Sequence, residues 1–174
     1  MNIIVAKCLN GGIGYEGKLP WHFRSDLRRF AELTKGQGNN AIVMGRKTWE
    51  SLPLHPLPGR DNYVLSTTLK SEKATVFHSI EALMNCLELK NYDEIWIIGG
   101  TSVYEAFMEK ANKLYVTEIC ENYCCDAFFP SIPDTFVLDS SIEKWTAVGS
   151  GSAGHKECDK IKGVLLKYNI YTRT

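Results

Sequence analysis

Neither sign of charge dominates this sequence: lysine plus arginine number 20 and aspartate plus glutamate number 20 among 174 residues. A chain so balanced carries no broad field for holding a nucleic acid or an anionic membrane, so an anionic ligand must be met by charges placed locally. Long apolar runs are missing as well. The stretch Met1 to Lys7 is apolar only briefly, and no later run approaches the roughly 18 residues of a membrane span. The expectation is a soluble, unsecreted, cytoplasmic protein. Histidine is scarce, and His22, His55, His78 and His155 show no metal-ligand spacing. The six cysteines form no disulfide framework expected of a secreted chain, and Cys120, Cys124 and Cys125 have no histidine nearby, so free thiols and no metal are expected. Repeats, low-complexity stretches and linkers are absent too. A hydrophobic content of 44% is ample for one packed core, and a single domain over residues 1–174 is expected.

What is present is a succession of short β-branched runs alternating with helical patterns. Ile3 to Ala6, Ala41 to Met44, Tyr63 to Leu65, Thr75 to Phe77, Ile95 to Ile98 and Leu114 to Ile119 read as strands. Several are apolar throughout, as expected where helices cover both faces of a sheet, so the fold class is α/β with a largely parallel sheet. Leu27, Phe30, Ala31 and Leu33 mark one face of a helix, and Ser79 is placed to cap another carrying Ile80, Leu83, Met84 and Leu87. Ser102 and Glu105, three apart, predict a capping box for a third. Residues Gly149 to Gly163 predict a loop, followed by a closing strand in which Leu166, Tyr168 and Ile170 alternate, paired antiparallel with Trp145 to Val148.

Three strand ends are alike in kind, running into Gly45-Arg46-Lys47-Thr48, Ser66-Thr67-Thr68 and Gly99-Gly100-Thr101-Ser102. Each offers amides, hydroxyls or cations where open α/β sheets bind ligands and where helix N-termini favour phosphate. Singly, each is also what an ordinary strand end looks like; together they favour a dinucleotide. The Rossmann fingerprint is not read in the chain, so another dinucleotide fold is expected. After the first strand comes a glycine-rich segment, Asn10 to Trp21, with Leu19 and Trp21 as apolar groups to lay over a ligand. It is equally what a glycine-rich turn with a buried tryptophan looks like. Asp26 stands at the start of the first helix, where the macrodipole favours a carboxylate, but four residues before Phe30, so that it borders the apolar stripe. Burial there suits a group that handles a proton. Arg60 follows the turn Pro56 to Gly59, which fixes its approach for a bidentate carboxylate contact, although a surface arginine beside a turn would look the same.

In this order these residues resemble dihydrofolate reductase: Gly12-Ile13-Gly14, Leu19-Pro20-Trp21, Asp26 with Phe30, Met44 to Ser51, Pro56 to Arg60, Leu65-Ser66-Thr67, Ile98-Gly99-Gly100 with Val103-Tyr104, Leu114 to Thr117, and Asp126 to Pro130. The pattern spans nearly the whole chain, and its joint order is specific where any one motif is weak. The resemblance implies an eight-stranded, mostly parallel sheet flanked by helices, with closing antiparallel strands. It implies NADPH as cofactor, dihydrofolate as substrate and antifolates as inhibitors, with no nucleic-acid or membrane partner, in a monomer unless the domain was cut from a thymidylate synthase fusion. Catalysis would fall to Asp26, Leu19, Trp21 and Thr117. Ala6, Phe30, Leu52, Leu57, Ile98 and Thr117 would line the substrate cleft, with Arg60 on the glutamate tail. Arg46, Lys47, Thr48, Ser66 and Thr67 would hold the cofactor's phosphates and adenosine end, with Gly99 and Gly100 at the pyrophosphate. The cofactor would also meet Ala6, Ile13, Gly14, Gly45, Leu65, Ile98, Thr101, Ser102, Val103 and Tyr104. A cis peptide between Gly99 and Gly100 and a contact of Asp126 with the segment around Gly14 are also implied. Leu19 stands where bacterial members often carry methionine, Lys47 where they often carry histidine, Leu54-His55 is unfamiliar, and Ser140 to Lys162 matches least. A same-fold reductase of a riboflavin precursor, or a non-catalytic folate or nucleotide carrier, is the alternative.

Overall fold

The computed structural model describes residues 1–147 and 163–174. The elements follow in chain order as β1 (Asn2–Cys8), β2 (Gly12–Gly14), α1 (Arg24–Lys35), β3 (Asn40–Gly45), α2 (Arg46–Ser51), β4 (Asp61–Leu65) and β5 (Thr75–Phe77), then α3 (Ile80–Leu89), β6 (Glu94–Ile97), α4 (Thr101–Met108), β7 (Lys113–Ile119), β8 (Ala127–Phe128), β9 (Phe136–Ala147) and β10 (Gly163–Arg173). An eight-stranded sheet has the order β5-β4-β3-β6-β1-β7-β10-β9, while β2 and β8 pair separately. Strands β1 and β3 to β7 pair parallel, and β10 runs antiparallel to both β7 and β9. The mostly parallel eight-stranded α/β sheet expected from the sequence is therefore present.

Alternation within the apolar strands feeds two cores. Ile3 and Val5 of β1, Ala41 and Val43 of β3, and Leu114 and Val116 of β7 pack with α3 and α4 through Leu83, Leu87, Val103 and Phe107. Ile4, Ile42, Met44 and Trp96 point to the opposite face, where they meet Trp49 of α2 and Phe30 and Leu33 of α1. Because both faces are covered, no polar side is needed along these strands, which is why they read as unbroken apolar runs.

Helix α3 begins as its sequence predicts, with the Ser79 hydroxyl accepting from the Ala82 N–H. The capping box of α4 does not form. Gly100 occupies the N-cap without a side-chain bond, and its carbonyl receives the N–H groups of Val103 and Tyr104. Ser102 therefore lies inside the first turn, two residues past the cap position, and lines the cleft described below. The antiparallel closing pair is present but much longer than expected, since β9 starts at Phe136 and pairs along β10 through a bulge at Ile170/Tyr171. Gly163, assigned to a loop by the sequence, is the first residue of β10. Val148 and the rest of the expected loop lie outside the described residues.

Candidate active site

A cleft of about 1270 Å³ opens at the carboxyl ends of the central strands. Two of the three similar strand ends become helix starts there. Strand β3 passes through Gly45 into α2, so Arg46, Lys47 and Thr48 form a first helical turn at the cleft wall. Strand β6 passes through Ile98 and the cis-linked Gly99-Gly100 into α4. The third, after β4, is a turn in which the Ser66 hydroxyl accepts from the N–H groups of Thr68 and Leu69. Gly99 has φ +119°, and a Cβ there would stand 3.2 Å from the Tyr104 ring, so the position requires glycine for both conformation and space. The Gly45 N–H donates to the Gly99 carbonyl at 2.7 Å, holding the two strand ends together. Thr101 and Ser102 stand in the first turn of α4, where backbone N–H groups lack helical acceptors and favour anionic oxygens.

On the other side of the cleft, α1 presents Asp26, Leu27, Arg29 and Phe30. Asp26 Oδ1 accepts from the Thr117 hydroxyl at 2.7 Å. Burial raises the Asp26 pKa above the usual carboxylate value, opposed by the Thr117 hydrogen bond and by the nearby Arg29 charge. Ala6, Ile98 and Thr117 form the floor, and Leu52 joins the wall.

The glycine-rich segment after β1 is ordered more than a loop. Gly12 to Gly14 forms β2 against Ala127 and Phe128. Tyr15 and Lys18 exchange backbone hydrogen bonds around Glu16 (φ 47°) and Gly17 (φ 75°), which is a two-residue hairpin with both central residues left-handed. By letter, Gly12-Ile13-Gly14-Tyr15-Glu16-Gly17 does satisfy the Rossmann spacing that the sequence reading missed. No helix opens directly from it, since α1 begins only at Arg24, so the motif builds a flap rather than a phosphate loop. Ile13, Gly14, Lys18 and the exposed Leu19 border the cleft. Asp126 docks this flap, its carboxylate accepting from the Glu16 N–H at 2.9 Å and its own N–H donating to the Gly14 carbonyl at 2.9 Å.

The structure thus gathers at one cleft Ala6, Ile13, Gly14, Leu19, Asp26, Phe30 and Thr117, together with Leu52, Leu65, Ser66, Thr67, Ile98 and the residues from Gly45 to Thr48 and Gly99 to Tyr104. Trp21, Leu57 and Arg60 do not line it. Trp21 is buried edge-on to Tyr123, and its indole N–H has no acceptor among the described residues. Arg60 is tethered by Nε to the Pro58 carbonyl at 2.9 Å and by Nη1 to the Thr34 hydroxyl. The cleft also contains residues that the sequence did not assign to it: Arg29, Lys18, Ser51 and His78, together with Ser79 and Ile80, which were expected only as the start of a helix. His78 joins Thr67 in a further open pocket of about 700 Å³ beside the cleft. Arg29 could have been found, since it stands three residues after Asp26 on the same helix face.

The sequence profile of the dihydrofolate reductase family matches residues 1–168. A dihydrofolate reductase of Drosophila melanogaster is 44% identical over 148 residues, covering 78% of this chain and 81% of the fly protein. One from Aedes albopictus is 34% identical over an alignment of 188 residues, covering 99% and 96% of the two chains. A dihydrofolate reductase from Enterococcus faecalis, solved with NADP(H) and RAB-propyl, superposes with a TM-score of 0.82 at 30% identity, over 99% of this chain and 95% of that one.

Proposed function

The chain belongs to the dihydrofolate reductase family, and on that premise we propose how its cleft divides the work of reducing dihydrofolate. The protein is an NADPH-dependent dihydrofolate reductase, converting 7,8-dihydrofolate to 5,6,7,8-tetrahydrofolate, and as such it binds dihydrofolate and antifolates. This decides against a riboflavin-precursor reductase. NADPH supplies the hydride, from nicotinamide C4 to pteridine C6, and a proton is added at N5.

The residues present fit a dinucleotide. Gly99 and Gly100 keep side chains out of the approach to α4, whose first-turn Thr101 and Ser102 offer amides and hydroxyls to a pyrophosphate, beside Val103 and Tyr104. Arg46, Lys47 and Thr48 at the start of α2, with Gly45, Leu65, Ser66 and Thr67, would hold the other phosphates and the adenosine end. Ala6, Ile13, Gly14 and Ile98 would face the nicotinamide.

Asp26 carries the substrate reading: it is a partly buried carboxylate, steadied by Thr117, set among apolar groups. We assign it and Thr117 to the pteridine amidine edge, with Ala6, Phe30, Leu52, Leu57 and Ile98 packing the substrate. Arg60, tethered through Nε and Nη1, would take the glutamate tail with its remaining donors. Asp26 orients and polarises the substrate, while water shielded by Leu19 and ordered near the Trp21 indole carries the proton. A single domain acting as a cytoplasmic monomer belongs to the same proposal, supported in its first part by one sheet that runs from Asn2 to Arg173.

The test is to mix the protein with NADPH and dihydrofolate and follow the near-ultraviolet absorbance of NADPH. A decrease that requires both ligands and the protein is expected. Binding without any decrease would leave a carrier and overturn the reading.

A further inference from the structure

Three features lie outside the machinery assigned above. The first is the thiol pair Cys8 and Cys125, whose sulfurs stand 3.9 Å apart under the flap. Burial pushes the Cys125 thiol up to about 11, so it is poorly suited to attack an oxidant at neutral pH. The second is the set of exposed apolar side chains Leu138, Ile142 and Trp145 on edge strand β9, for which nothing in the structure names an occupant. The third, Arg29, has an address inside the working cleft and a definite set of neighbours.

Arg29 lies one helical turn beyond Asp26 on α1, and residues so spaced are neighbours on one helix face. Its guanidinium carbon sits 4.7 Å from the ring centroid of Tyr168 on β10 and 6.0 Å from that of Tyr115 on β7. Tyr115 is itself packed edge-on to the buried Trp96 at 4.9 Å, so this seat is built into the core rather than formed by surface side chains. No carboxylate of the described residues lies within ion-pair distance of Arg29. A cation part-buried without an ion-pair partner is costly, and two aromatic faces repay only part of that cost. The charge is therefore not explained by a surface salt bridge or by solubility.

We propose that Arg29 is a positioning residue for Asp26, a fixed positive charge held by Tyr115 and Tyr168 behind the carboxylate, and that it sets the pH at which the enzyme loses hydride transfer. The inference rests on the dihydrofolate reading and on the role of Asp26 in it. The groups packed around the pair are Thr117 and Tyr115 on β7, Tyr168 on β10 and, acting on Tyr115 from the start of β6, Glu94. The phenols stay neutral at working pH, since burial raises both, and Thr117 does not ionise. Arg29 is then the charge that opposes the effect of burial on Asp26, and an arginine does not lose its proton when partly buried.

The sign follows from the chemistry. Reduction consumes a proton, so the rate is high where the Asp26 and substrate pair holds one and falls as pH rises. Removing the positive charge favours the protonated carboxyl, so the fall moves to higher pH. An opposite charge at close range shifts a carboxylate by about 1 unit or more; since Arg29 is beyond ion-pair contact, the midpoint should rise by about one pH unit at most, and by at least a measurable fraction of that.

The experiment is single-turnover hydride transfer against pH for the full chain and for Arg29→Met, Arg29→Gln and Arg29→Lys, with thermal unfolding of each. Arg29→Met and Arg29→Gln should move the midpoint upward, with the low-pH plateau changed only a few-fold. Arg29→Lys, which keeps the charge, should retain the wild-type midpoint. In an Asp26→Asn background the same substitutions should leave the pH dependence where Asp26→Asn alone puts it. An unmoved midpoint in folded Arg29→Met or Arg29→Gln overturns the proposal, and so does an equal shift in Arg29→Lys, which would make ring packing the cause. Wild-type protein without turnover would overturn the dihydrofolate reading instead, so the two failures are distinct.

Discussion

Asp26 is held between opposing influences: burial disfavours its ionised form, while the Thr117 hydroxyl and the Arg29 charge favour it. Burial prevails, so its pKa in the folded protein lies above the unfolded value. Such a group contributes stability that is fully present below the unfolded pKa and is lost as pH rises through the folded pKa. Asp26→Asn, which cannot ionise, should therefore unfold at a higher temperature than wild type at neutral pH. The two curves should converge as pH falls below the ordinary carboxylate range. Turnover should move the other way, falling by about 100-fold or more at neutral pH and recovering partly in acid, where solvent protonates N5 unaided. A pH series of kcat beside thermal unfolding checks both, and a folded variant with wild-type turnover would refute the assigned role. At the other end of the cleft, Arg46 is exposed and paired with Glu50 at 3.0 Å, a bridge worth little to folding but able to fix where the guanidinium points. Arg46→Ala should narrow the preference for NADPH over NADH by about tenfold, the loss expected of one charge-assisted contact to the 2′-phosphate. The ratio of kcat/KM for the two cofactors measures it, and an unchanged ratio places the phosphate elsewhere.

Among the elements, the flap from β2 to Leu19 shows how a mobile-looking sequence is given a position. It is held by the short β2 and β8 ladder, by the tight turn at Glu16-Gly17 and by Asp126. Strand β8 is in turn tied to the start of α4, because the Thr101 hydroxyl donates to the Phe128 carbonyl at 2.8 Å. The flap, the loop before β8 and the proposed pyrophosphate site thus form one connected unit. Asp126→Ala removes the flap contact at an exposed position, so its effect on folding should stay near or below about 1 kcal/mol. Hydride transfer in single turnover should nevertheless slow several-fold, because Leu19 is no longer held over the cleft. Wild-type single-turnover rates in that variant would show that the flap does not need this anchor.

On the scale of the whole molecule, the chain returns to insert β10 between β7 and β9, and its last residues are fastened far from the cleft. Arg173 donates by Nε to the Ala111 carbonyl at 2.9 Å and by Nη2 to the Met108 carbonyl at 2.7 Å, and its guanidinium carbon lies 4.4 Å from the Phe136 ring centroid. One side chain therefore joins the end of β10 to the end of α4 and the start of β9. Arg173→Ala should cost about 2–4 kcal/mol, since it removes charged donors from carbonyls that are partly buried. Denaturant unfolding will show this as a lower midpoint, and kcat of the folded fraction should be unchanged because these contacts sit at the amino-terminal end of β7, opposite the cleft. A variant as stable as wild type would mean that water replaces these bonds without loss.

The sequence by itself determined the parts whose physics is local. Apolar runs such as Ala41 to Met44 identified buried parallel strands, Ser79 identified a helix start, and the strand-end glycines and Arg46 marked one side of the cleft. The family's order of motifs was also legible, since it lies in the residues themselves. Tertiary structure alone decided three other things. It decided the extent of β9, whose side chains are mostly exposed and show no period, because that strand exists through pairing with β10. It decided the start of α4, where the Gly100 carbonyl took the first helical bonds and displaced the capping box expected at Ser102. And it decided the surroundings of Asp26. Thr117 and Tyr168 are distant from it in the chain, and only the order of β7 and β10 in the sheet brings a hydroxyl to its carboxylate and an aromatic seat to Arg29 beside it. Charge and burial act through space, so a pattern read along the chain could point to the carboxylate but not to the groups that control its proton.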